Sequence, residues 1–178
     1  MKKTLIAMSI IMTACAAYSS ATLAATGTIN FTGEIVDATC EVAVNGSTGN
    51  PTTINLGKVD KATLDTDGKT SAAYRIEMEL TKCPDALTEA RARFSGAVDD
   101  KDNRFLKLTQ DTGVAQNVAI EFTEKNDQTL PLGANPAAEP IDATTHSATL
   151  LYFARYHATG AATAGPANAV ADYTVVYN

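Results

Sequence analysis

The sequence predicts an all-β fold, a β-sandwich of many short strands, and three observations carry that expectation. Short runs alternate between apolar and polar residues with a period of two. Gly, Asn, Asp, Thr and Pro punctuate the chain at short intervals, and no window holds a long helical stripe. The segment after the expected cleavage site and the last strand each present one apolar face.

In chain order, residues 1–24 read as a secretion signal. Lys2 and Lys3 open it, residues 5–17 are apolar apart from small hydroxyl residues and Cys15, and Thr22 and Ala24 are the small residues that place cleavage before Ala25. A second processing route, in which Met12-Thr13-Ala14-Cys15 serves as a lipoprotein cleavage box, lacks the usual leucine of such boxes. Cleavage leaves 154 of the 178 residues, enough for one domain with its own core. It also removes two of the 14 basic residues and none of the 20 acidic ones, so the net charge moves from −6 to −8. A chain this acidic argues against nucleic acid or an anionic membrane as partner.

Cys15 leaves with the signal, and Cys40 and Cys83 remain. An even count in an exported chain reads as a disulfide. Neither cysteine belongs to a C-x-x-C pair, and His146 and His157 are remote from both in sequence, which disfavours a metal site.

Strands are expected over residues 28–36, 40–44, 53–56, 73–80, 90–97, 105–108, 115–123, 147–158 and 169–177. Turns are expected at Asn45-Gly46, at Thr48-Gly49-Asn50-Pro51, over 65–68, over 99–103 and at Gly165-Pro166. Residues 58–67 read as a loop with one helical turn. This many short strands in one domain suggests Greek-key connections.

The first segment after cleavage, 25–35, places Ile29, Phe31 and Ile35, with Gly27 and Gly33, on one face and only polar residues on the other. At the far end, Tyr173, Val175 and Tyr177 share a face and only Asn178 follows, so the last strand uses its residues on core and leaves none to cover its edge. The leading segment either pairs within its own sheet or fills the open edge of another copy. In the second case Ile29, Phe31 and Ile35 together would contribute roughly 5–9 kcal/mol by burial. Such a head-to-tail contact generates a filament.

Residues 27–40 (Gly-Thr-Ile-Asn-Phe-Thr-Gly-Glu-Ile-Val-Asp-Ala-Thr-Cys), Ile54-Asn55-Leu56-Gly57-Lys58-Val59, Leu80-Thr81-Lys82-Cys83 and the run from Phe153 to Gly165 leading into Tyr173, Val175, Tyr177 and Asn178 resemble the chaperone–usher pilins, in particular the major subunit of type 1 fimbriae. The resemblance covers essentially the whole chain after cleavage. It implies an incomplete immunoglobulin-like sandwich lacking its seventh strand (residues 38–178), preceded by a donor extension (residues 25–37) whose Ile29, Phe31, Gly33 and Ile35 enter the next subunit. It implies a periplasmic chaperone and an outer-membrane usher as partners, a homopolymer as product, and the cell surface as destination. The edge facing chaperone or donor is then Gly165, Tyr173, Val175, Tyr177 and Asn178, beside the strand around 152–158. The Cys40–Cys83 pair matches the family's placement.

No G-x-S-x-G, H-E-x-x-H or glycine-rich phosphate loop is present, and no cofactor is expected. Asp99, Asp100 and Asp102 lack the glycine and terminal glutamate of a calcium loop and read as a solvated turn. His157 reads as a surface or packing residue. The remaining alternatives are a minor adaptor or terminator pilin, or an adhesion module. A two-domain tip adhesin requires a longer chain and has no donor extension.

Overall fold

The computed structural model describes Asn30 and residues 39–178. The expected donor residues Ile29, Phe31, Gly33 and Ile35, and the signal segment, lie outside the described residues. Residues Val36–Asn178 form one compact unit, built as two antiparallel sheets packed face to face.

The larger sheet holds β1 (Glu41–Val44), β2 (Tyr74–Thr81), β4 (Val118–Glu124), β5 (Thr129–Leu130) and β7 (Ala148–Ala158), in the order β1-β2-β7-β4-β5. The smaller holds β3 (Glu89–Gly96), β6 (Glu139–Pro140) and β8 (Ala171–Tyr177), in the order β6-β3-β8. Alternation decides which side chains meet between the sheets. Ile76, Met78 and Leu80 of β2, Ala90, Ala92 and Phe94 of β3, and Leu150, Tyr152 and Ala154 of β7 are all buried, while their neighbours face outward. Phe94 ties the layers together: it stacks on Phe122 at 4.5 Å between centroids and meets Tyr152 edge-on at 5.2 Å. Cys40 and Cys83 are joined by a disulfide linking the start of β1 to the residues just after β2.

The expected Asn45-Gly46 turn closes a tight loop after β1. Both residues have positive φ, 49° and 76°, and Val44 and Ser47 exchange backbone hydrogen bonds of 2.8 and 2.9 Å. Asparagine and glycine are the residues that adopt this left-handed pair at least cost. The helical turn expected in 58–67 is a short 3₁₀ segment, Lys61–Leu64, started by Asp60, whose carboxylate accepts the Ala62 amide.

Three expectations need correction, and two short strands were not expected. Residues 53–56 form no strand: Leu56 is buried and Ile54 packs on the core, but their backbone joins neither sheet. Residues 105–108 supply only isolated bridges, from Leu106 to Val98 and to Ile120. The fourth long strand begins at Val118 and not at 115, because the Ala115 amide is taken by Pro166 and the Gln116 amide by Thr163. β5 and β6, two residues each, are too short to show any period.

Candidate functional site: an open sheet edge over an apolar groove

β8 pairs with β3 along its whole length, from Ala90 opposite Tyr177 to Gly96 opposite Ala171. This corrects the expected neighbour: the strand around 152–158 lies in the facing sheet, between β2 and β4. Glu89 and Asn178 exchange two backbone hydrogen bonds, 3.0 and 3.3 Å. Pairs alternate along an antiparallel ladder, so Asp172, Thr174 and Val176 also aim their backbone groups at β3. Ala171, Tyr173, Val175 and Tyr177 therefore aim theirs away from β3. Among the described residues, no backbone partner meets those of Ala171, Tyr173 or Val175 on that side.

The other edges are managed. On the far side of β3, the Ala92 amide donates to the Tyr152 hydroxyl (2.9 Å), the Phe94 carbonyl accepts from the Gly133 amide (2.8 Å), and β6 covers Glu89 and Ala90. Burial pushes the Tyr152 phenol above its ordinary value of 10, which keeps it a neutral acceptor. The larger sheet ends in strands of four and two residues, β1 and β5, and short edges invite little pairing. β8, seven residues long and apolar on one face, is the exception.

Beside the open edge lies a groove of about 410 Å³. Its lining includes Ala171 and Tyr173 of β8, Pro51, Ile54 and Leu56 from the segment before β2, and Ile76, Met78, Phe94 and Phe122 from the core. Tyr173 remains 43 % exposed. The apolar residues of 53–56 that joined no sheet thus line the same groove as β8. A strand laid here would meet unpaired backbone on one side and apolar side chains beneath, the two elements that strand addition requires.

The other expected edge residues divide. Val175 and Tyr177 pack on the core from β8. Burial raises the Tyr177 phenol above its ordinary value of 10. The Asn178 carbonyl accepts from the Thr88 amide (2.8 Å) and the Thr88 hydroxyl (3.1 Å). Gly165 is not on the edge at all. It lies against the backbone of 113–115, where a Cβ would overlap the Gly113 carbonyl and stand 2.6 Å from the Ala115 amide nitrogen.

A polar layer on the outer face of the larger sheet was not anticipated from the sequence. Glu121 of β4, 2 % exposed, receives Arg155 Nε at 2.8 Å and the Thr129 hydroxyl at 2.6 Å, with His157 Nδ1 3.0 Å away. Phe105 covers it, its ring 4.2 Å from that of His157. His157 is a packing residue, as expected. Asp99 and Asp102 bind backbone amides of their own turn, and Asp102 pairs with Arg104. Burial pushes the Glu121 carboxyl up, but Arg155, Thr129 and His157 together outweigh it and hold it below its ordinary value of 4.5. A carboxyl held lower in the fold than in the unfolded chain stabilises fully above its ordinary value, and the benefit is lost as the pH falls below it. The expected result is a thermal midpoint that falls between about pH 5 and pH 3, with a shallower fall in Glu121→Gln, measured by circular dichroism.

Comparison with known proteins agrees with this architecture. Residues 29–178 match the model of the family described as fimbrial protein. The type-1 fimbrial protein, A chain, of Escherichia coli is 35 % identical over 174 residues, covering 96 % of this chain and 93 % of that one. The solved structure of a Burkholderia pseudomallei antigen and type I fimbria protein is 30 % identical, with a TM-score of 0.59 over 85 % of this chain and 97 % of that one. The P pilus rod subunit PapA, at 17 % identity, shares the fold with a TM-score of 0.62, covering 78 % of this chain and all of that one. These are components of surface fibres and not enzymes. The chain belongs to the fimbrial protein family.

Proposed function

We propose that this chain is a fibre subunit that polymerises by strand donation: residues 25–37 of one copy lie along β8 of the next and fill its groove. The observation that carries the reading is that, among the described residues, the backbone edge of Ala171, Tyr173 and Val175 is open beside an apolar groove while the other sheet edges are covered or short. The donor face is Ile29, Phe31, Gly33 and Ile35. Residues 29–35 number seven, the length of β8, so the two can run side by side from end to end. Cleavage of the signal 1–24 would free this segment. The same groove would be held by a periplasmic chaperone until an outer-membrane usher exchanges the chaperone's strand for the donor. The product is a homopolymeric surface fibre that supports adhesion.

The test is deletion of residues 25–35, with export retained and the matching chaperone present. The expected product is a soluble chaperone–subunit complex that forms no fibres, as judged by electron microscopy and size-exclusion chromatography. Fibres of normal length from that deletion would refute the proposal. Counting this chain against its co-assembled subunits in isolated fibres distinguishes the main rod component from a minor adaptor.

A further inference from the structure

Among the described residues, the large apolar side chains left most exposed are Val170 (77 %), Val98 (47 %) and Tyr173 (43 %). Gly96 pairs with Ala171, and its neighbourhood includes the Val170 carbonyl, so the end of β3 leading to Val98 and the approach to β8 at Val170 lie side by side. Tyr173 lines the groove; Val98 and Val170 do not. A strand seated in the groove would therefore cover Tyr173 and leave the two valines bare.

What reaches the valines follows from direction and tether length. Every ladder between named strands of this molecule is antiparallel, and sheets favour a single sense. A donor antiparallel to β8 runs with its Ile29 end near Tyr177 and its Ile35 end near Ala171. Three residues, 36–38, then separate Ile35 from Thr39, where the described body of that copy begins. Four residue steps span at most about 14 Å. So short a tether holds the body of the donating copy against the end of the acceptor where Val98 and Val170 are exposed.

We propose that Val98 and Val170 form a second contact between successive copies, a docking patch for the folded body of the donor in addition to the groove that takes its strand. The patch rests on the strand-donation reading. Its role is to slow dissociation of the joint and to limit bending between neighbours.

The test compares the full chain with the double variant Val98→Asp, Val170→Asp in two forms. In the first, fibres of each are incubated in guanidinium chloride and the release of subunits is followed. In the second, each chain is refolded in excess synthetic peptide of residues 25–37, and the melting temperature of the capped monomer is measured. The expected result is fibre dissociation at least about fivefold faster in the double variant, since interface changes act mainly on off-rates, with capped monomers that melt alike. A smaller change in dissociation overturns the patch, as does a capped monomer that melts lower in the variant, because the effect then lies inside the fold. A peptide that fails to cap either chain refutes strand donation itself, and the patch falls with it.

Discussion

The Cys40→Ser, Cys83→Ser chain is expected to be less stable by about 4 kcal/mol, the chain-entropy value for a bridge closing a loop of this length, across a sequence separation of 43. Domains of this size have about 5–15 kcal/mol in total, so the loss removes a large part of it. The structure adds a local reason. β1 has four residues and β2 as its one ladder partner, and Cys40 sits at its start. Without the bridge, four residue pairs hold the strand. Guanidinium unfolding of peptide-capped monomers, with and without reductant, measures the effect. Midpoints that coincide would show that the ladder alone secures β1.

Gly165→Ala is expected to cost about 2–3 kcal/mol, the upper part of the range for overpacking. The added methyl meets backbone on all three of its close contacts, at Gly113, Val114 and Ala115, and backbone cannot turn aside as a side chain can. The strain has a direction. Residues 163–168 are fastened to 109–116 by the Ala115 amide to the Pro166 carbonyl and the Thr109 amide to the Asn168 carbonyl. Pushing Gly165 away drags the approach to β8, and with it Ala169 and Ala171 on the groove wall. Gly165→Ala should therefore lower both the melting temperature and the rate at which peptide 25–37 is taken up. A variant that melts lower but takes up peptide at the normal rate would show that the groove wall is insulated from residue 165. The glycine matters for spacing and not as part of the edge, a correction to the role expected for it.

Much of this was legible in the sequence, and the parts that were not have physical reasons. The core faces of β2 and β3 are visible as Ile76, Met78, Leu80 and Ala90, Ala92, Phe94, because a period of two is a local property. The unfinished edge was visible as Tyr173, Val175 and Tyr177 for the same reason. The neighbour of β8 was not: pairing of β8 with β3, across some eighty residues, is a tertiary choice that alternation does not encode. Residues 53–56 read as a strand because Ile54 and Leu56 alternate, but a strand needs a ladder, and none of the described residues provides one there. Glu121 was overlooked although a signal existed. A carboxylate in the run Val118-Ala119-Ile120-Glu121-Phe122 must be paired if buried, and Arg155 and His157, two apart on an expected strand, share the face that could pair it.

The treatment of β3 has a consequence for the shape of what is built. Its outer flank is sealed by the Tyr152 hydroxyl, Gly133 and β6, so the smaller sheet accepts a guest on one flank alone. Under the proposed strand donation, each copy has a single receptor and a single plug, and the two are different in kind. Assembly from such parts gives unbranched threads with a distinct head and tail, lengthened one unit at a time. Replacing Tyr152 with phenylalanine would leave the buried Ala92 amide without its acceptor, a cost of about 1–3 kcal/mol in stability.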